Sequence, residues 1–235
     1  MAEMTGPIVC NSGALVKHAC SHETLWRADL PHPTLSPLFE LLRESDKHAV
    51  CFSDNQADHD FFVAQYPSRH EHFNEYVTHN HDHVLVNPEW KRTALRGEIP
   101  VFHLCVVGTH DEMLEFQAMA RTRHGRQLQT FVQRTPRYAG WMCELLRGDA
   151  NKWTALRTLA DSWRILPERI VAVGDDQNDL AMIAGAGLGV AMSHAPDNVR
   201  AVANRILDSS RPMALARFLF ELAEPGRIEP PSPRQ

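Results

Sequence analysis

From residue 151 to residue 222 the apolar side chains switch repeatedly between helical spacing and the unbroken run of a buried strand, and few folds accept that rhythm. Trp153, Leu156, Leu159, Ala160 and Trp163 recur at the interval of one helix face. Ile170 to Val173 is then a continuous apolar run, followed by Leu180, Met182 and Ile183 and by a second run, Gly187-Leu188-Gly189-Val190-Ala191-Met192. A helix start near Ala195-Pro196-Asp197, a short strand Arg205-Ile206-Leu207 and a last helix over 211–222 complete the series. Pro196 and Pro212 fall where the first turn of a helix tolerates proline. Alternation of this kind means βαβ units and a parallel sheet, so an α/β fold is expected.

Open α/β sheets bind ligands at the carboxyl ends of their strands. Here the Ile170 run opens directly into Gly174-Asp175-Asp176-Gln177-Asn178-Asp179. Three carboxylates at one strand end, with two amides among them, repel one another unless a cation is present, and a hard, oxygen-preferring ion such as Mg²⁺ suits them. Lys152 begins the preceding helix. A lysine supplies a compact cation for phosphate oxygens, an asparagine donates to the same oxygens, and carboxylates hold the metal that offsets charge during phosphoryl transfer. Lys152, Asn178 and the acidic strand end together describe a phosphomonoester site. Taken singly, the hexapeptide reads equally as a helix cap and Lys152 as a solvated lysine; their pairing favours the site. An EF-hand loop fails, because the sixth position counted from Asp175 is Leu180 rather than Gly and the twelfth is Ala186 rather than Glu.

The rest of the chain looks different. Residues 21–140 carry strand-like runs at 49–53, 101–107 and 128–133 between polar, histidine-rich helical segments, which reads as a second α/β module inserted into the first. Its far boundary is expected within 141–151, where Gly148-Asp149 breaks the chain. At the front, Pro7 to Val16 reads as two short strands around a glycine-bearing turn and is expected to join the parallel layer. Asn11-Ser12-Gly13 is a common turn sequence and is set aside as a ligand contact. His79, His81 and His83 beside Asp82 invite a metal reading, but the flanking Asn80 and Asn87-Pro88 favour a solvated loop. The proline-rich end, 224–235, is expected to be disordered.

Composition removes several partners. A formal charge of −5 with both signs interspersed provides no polybasic face for nucleic acid or an anionic membrane. Five cysteines without C-x-x-C spacing argue against a disulfide framework and point to a reducing cytoplasm. No run approaches the ~20 apolar residues that span a bilayer, and residues 1–9 carry no secretory leader pattern. No feature bears on oligomeric state.

Three segments carry a family resemblance: Asn151-Lys152-Trp153-Thr154-Ala155-Leu156, then Val171 to Ile183 across the acidic turn, then Ala186 to Met192 with His194-Ala195. In order and spacing they resemble the third and fourth motifs of the haloacid dehalogenase-like phosphatases, in their Cof-type branch, and Ile8 to Ala14 is similar to the segment preceding that branch's mobile cap. The resemblance implies a parallel Rossmann-like core over 1–20 and 141–223, N-terminally incomplete, with an inserted α/β cap over 21–140. It implies Asp175 and Asp179 at a Mg²⁺ site, Asp179 as supporting acid, Lys152 and Asn178 on the phosphate, and a small phosphorylated metabolite such as a sugar phosphate as substrate. It departs at one point. The family's N-terminal strand ends in Asp-x-Asp, whose first residue is the covalent nucleophile, whereas the first Asp here is Asp29, with no apolar strand before it. Impaired turnover is therefore expected, with a mis-called or truncated start as its expected origin. The alternative is a non-catalytic remnant that binds a phosphorylated ligand or a partner.

Overall fold

The structure, a computed structural model, describes residues 6–54, 60–135 and 139–224. The chain divides into two units, Met1–Ala150 and Asn151–Gln235.

The N-terminal unit begins with an antiparallel meander of β1 (Pro7–Cys10), β2 (Leu15–His18) and β3 (Thr24–Arg27), with Val9 opposite Val16 and Val16 opposite Trp26. There follow α1 (His32–Glu44), β4 (Ala49–Phe52), β5 (Phe61–Val63), α2 (Glu71–His79), β6 (Val84–Val86), α3 (Trp90–Leu95), β7 (His103–Gly108), α4 (His110–His124), β8 (Leu128–Arg134) and β9 (Trp141–Arg147). The strands form a six-stranded sheet in the order β6-β5-β4-β7-β9-β8, antiparallel except between β5 and β6. Successive side chains of a strand point to opposite faces, and both faces here are covered. Ala49, Cys51, Leu104 and Val106 pack with Leu38, Trp90, Met113 and Phe116 of α1, α3 and α4. Val50, Cys105 and Val107 pack with Phe73, Tyr76 and Val77 of α2. Burial on both sides is why β4 and β7 read as unbroken apolar runs.

The C-terminal unit runs α5 (Lys152–Ser162), β10 (Val171–Gly174), α6 (Leu180–Gly185), β11 (Leu188–Met192), α7 (Asp197–Ala201), β12 (Arg205–Leu207) and α8 (Ala214–Ala223). Its three strands are parallel in the order β10-β11-β12, with Val171 opposite Leu188 and Val190 opposite Arg205. Ala172 faces Ala160 with Trp153 and Leu156 of α5. Val173, on the other face, packs with Val190, Leu207 and Phe218 of α8. This is the α/β architecture with a parallel, Rossmann-like layer that the alternation of residues 151–222 implies.

Several expectations need correction. The front strands do not extend the parallel layer; they are satisfied by each other and by β3, a strand whose short Thr24–Arg27 run carries little apolar signal. Within the interval 141–151 where the boundary is expected, Trp141–Arg147 hydrogen-bonds along its length to β7 on one side and β8 on the other, and the division falls between Ala150 and Asn151. Helix α7 is short, and α8 starts at Ala214, two residues after Pro212. His79 ends α2; exposed His81 and His83 lie in a 3₁₀ turn, facing Asp82 and Asp60. Of the five cysteines, Cys51, Cys105 and Cys143 are buried. The expected disordered tail lies, after residue 224, outside the described residues.

Candidate functional site

The site sits where the three parallel strands of the C-terminal unit end. Strand β10 stops at Gly174, and the chain turns through a 3₁₀ segment, Gln177–Asp179, into α6. The turn is closed by its own acids. Asp176 accepts from the Gln177 amide at 2.6 Å, while Asp179 Oδ2 accepts from the amides of Asp175 and Asp176 at 3.0 and 3.1 Å. That back-folding brings Asp179 against the strand end so closely that a Cβ on residue 174 would lie 2.4 Å from the Asp179 Cβ. Glycine is required there.

Lys152 reaches this turn from the first residue of α5, a helix capped by the Asn151 side chain, which accepts from the Thr154 amide at 2.9 Å. A cation in a helix's first turn opposes the helix dipole and needs a compensating partner. Lys152 Nζ has two: it donates to Asp179 Oδ1 at 2.6 Å and to Asn178 Oδ1 at 3.0 Å. Asp179 is only 5% exposed, and a carboxylate so buried is tolerable because an ammonium and two backbone N–H groups share its charge.

Lys152, Asn178 and Asp179 therefore meet, but the carboxylates of the turn do not converge. Asp176 caps its own turn, and Asp179 is committed through both oxygens. Asp175 points elsewhere: its side chain is 56% exposed and its Oδ2 lies 3.0 Å from His194 Nε2. Among the described residues no group of three His, Cys, Asp or Glu side chains is arranged to hold a metal ion. Mg²⁺ commonly sits on one or two carboxylates with water and substrate phosphate completing its oxygen shell. The open Asp175 carboxylate fits that kind of site, whereas Asp179 fits the part of a supporting acid.

Two neighbours have no role in the sequence-based site. His194, just past the end of β11, sits on Asp175. Gln177 and Asn198 of α7 exchange a pair of amide hydrogen bonds, at 2.7 and 3.0 Å, tying the acidic turn to the start of α7. The signal for both was available, since residues following successive parallel strands lie at the same sheet edge.

The family model for haloacid dehalogenase-like hydrolases matches residues 1–219. The chain belongs to the haloacid dehalogenase-like hydrolases. Among curated relatives, pyridoxal phosphate phosphatase YbhA of Escherichia coli is 27% identical over 229 residues, covering 92% of this chain and 76% of that protein. The 5-amino-6-(5-phospho-D-ribitylamino)uracil phosphatase YitU of Bacillus subtilis is 29% identical over 128 residues, 54% of this chain, and that match spans 41% of the relative's length. Among solved structures, a haloacid dehalogenase-like hydrolase from B. subtilis superposes with a TM-score of 0.69 at 18% identity, covering 93% of this chain and 80% of that one, a likeness of fold. The Cof-type branch expected from the motifs is the one these relatives support. No described helix of this hydrolase is long and apolar enough to cross a membrane.

Proposed function

We propose that this haloacid dehalogenase-like hydrolase binds a small phosphorylated metabolite, such as a sugar phosphate, and acts as a Mg²⁺-using phosphoric monoester hydrolase. The observation that carries the reading is the Lys152 ammonium, held at 2.6 Å by buried Asp179 and at 3.0 Å by Asn178 beside the end of a parallel strand. An ammonium fixed by a buried acid is preorganised for an oxyanion, so it loses little freedom when phosphate arrives. Asn178 adds its carboxamide, and Asp179 keeps lysine and turn in register. Asp175 is the residue that would hold Mg²⁺, which when bound neutralises phosphate charge and polarises the ester. His194 orients the Asp175 carboxylate. In this reading residues 151–224 are the core module, and the six-stranded sheet with its helices is the substrate-selecting cap.

Among the described residues no strand ends in Asp-x-Asp, so we expect these 235 residues to bind phosphate and to turn it over slowly. Isothermal titration of inorganic phosphate in the presence of Mg²⁺ tests the site, and p-nitrophenyl phosphate hydrolysis tests the chemistry. Lys152→Met is expected to weaken phosphate binding by about tenfold or more, the scale of one charge-assisted hydrogen bond. Unchanged affinity would remove the site assignment. Rapid hydrolysis abolished by Asp175→Asn would instead refute the missing nucleophile.

A further inference from the structure

Asp175 and His194 stand on the turns that follow β10 and β11, at one sheet edge, with Asp175 Oδ2 3.0 Å from His194 Nε2. Both side chains are more than half exposed. An exposed pair of this kind does little to hold a fold together. The backbone beneath it is nevertheless tightly fixed. The Asp175 amide donates to Asp179 Oδ2 at 3.0 Å. Around His194 the clamp is Arg200 of α7, whose Nη1 donates to the carbonyls on either side, Ser193 O at 3.0 Å and Ala195 O at 2.9 Å, while its Nη2 is held by Asp197. The Ser193 amide donates to Leu207 O at 2.8 Å and the Ala195 amide to Met192 O at 3.0 Å. The Ala195 side chain is 1% exposed and packs with Ile183 and Val199. Two solvent-facing donor groups are thus presented from rigid supports, the arrangement that lowers the cost of ordering a ligand set.

The 3.0 Å separation admits two chemistries. As a hydrogen bond it needs the imidazole proton on Nε2, with the carboxylate accepting. As a pair of ligands it needs Nε2 bare and the proton on Nδ1. Donor atoms this far apart are spaced as neighbours around one ion with bonds of about 2.1 Å at right angles. Two protein donors leave the other positions to water and substrate phosphate. The two chemistries favour different ions. Mg²⁺ takes an oxygen shell and gives up water reluctantly, so an imidazole adds little to its binding. First-row transition ions accept imidazole nitrogen readily, Zn²⁺ among them.

We propose that His194 is a metal ligand alongside Asp175, and that its imidazole makes this centre bind a transition ion of the Zn²⁺ kind more tightly than Mg²⁺. The assignment rests on the reading of Asp175 as the metal-holding residue, and its test reports on the two separately. The full chain is titrated with Zn²⁺ and with Mg²⁺ in phosphate-free buffer. Binding is followed by the amide shifts of residues 174–179 and 193–195 and by the imidazole nitrogen shifts of His194, so that zinc at other histidines is not counted. Zn²⁺ is expected to saturate these signals at a concentration about tenfold or more below that of Mg²⁺, with His194 Nε2 shifting as a coordinated nitrogen. His194→Asn keeps a hydrogen-bond donor for Asp175 but removes the imidazole, and the exposed position makes the change easy on the fold. It should weaken Zn²⁺ about tenfold or more and leave Mg²⁺ within about twofold. Unchanged Zn²⁺ affinity in His194→Asn, or equal weakening of both ions, would overturn the ligand role of His194 and leave the Asp175 reading standing. Mg²⁺ shifts at these amides that persist in Asp175→Ala would overturn the reading of Asp175, and the ligand pair with it.

Discussion

Gly174 and Asp179 show how one side chain of the site is placed by the lack of another. The Asp179 carboxylate folds back on the end of β10, and its Oδ2 would lie 2.7 Å from a Cβ at residue 174. Gly174→Ala must push the turn outward, and the cost of such overpacking is about 1–3 kcal/mol. Because the turn carries Asn178 and steadies Lys152, denaturant unfolding should register lower stability and phosphate titration a lower affinity; a variant with both unchanged would mean the contact is slack. A second residue-scale prediction concerns His103, 3% exposed in the N-terminal unit. The Asn11 amide lies 2.9 Å from its Nδ1, Phe52 stacks on the ring at 4.6 Å, and Glu144 Oε1 stands 3.6 Å from Nε2. Burial lowers its pKa from the ordinary 6.5 to about 3. The folded protein therefore resists a proton that the unfolded chain accepts, so this contribution is full above about pH 6.5 and declines as pH falls toward 3. Its slope is about 1.4 kcal/mol per pH unit in that window. Urea unfolding at pH 6.5 and pH 5 should show the decline in the native protein and a flatter profile in His103→Gln; equal slopes would place the acid sensitivity elsewhere.

At the scale of elements, what was legible depended on whether a segment answers to its own residues or to distant partners. Helix α5 was legible because Asn151 is a good cap and Trp153, Leu156 and Ala160 fall on one face, which packs on Ala172 and Ala186. Strands β10 and β11 were legible because buried parallel strands read as apolar runs. Strand β9 was not. Trp141–Arg147 carries Glu144 in its centre, and a carboxylate there argues against a buried strand until its partner is known: the Ser12 hydroxyl, 132 positions away, donates to it at 2.5 Å. The meander at the front was legible only in part: β1 and β2 could be read around Asn11, Ser12 and Gly13, which all take positive φ, but β3 could not, because Thr24–Arg27 carries little apolar signal. The acidic turn was read as a converged metal cluster because spacing alone does not reveal that Asp176 and Asp179 bond to their own backbone. Capping gives the element-scale prediction. Asn151→Ala removes the acceptor of the Thr154 amide next to Lys152 and should cost about 1 kcal/mol, whereas Asn151→Asp, an equally good cap, should not. Thermal unfolding of the two variants separates a lost cap from a general intolerance at this position.

Over the whole molecule, the described apolar clusters respect the division at Ala150. Those around Leu104 and Leu145, around Phe73 and around Phe102 draw on residues 1–150, and those around Ala172, Ile183 and Val190 on residues 151–235. A domain with its own core opens as its own unit, so damage to one core should not lower protection in the other. Leu145 and Ile183 are both fully buried, one in each unit. Truncating either to alanine leaves a cavity worth about 2–5 kcal/mol. Hydrogen exchange followed by mass spectrometry should then show Leu145→Ala accelerating exchange across β4, β7, β8 and β9 with β10 and β11 unaltered, and Ile183→Ala the reverse. Phosphate binding should survive Leu145→Ala. A uniform rise in exchange in either variant would mean that the two cores unfold together, and the assignment of the phosphate site to the C-terminal unit alone would then lose its energetic basis.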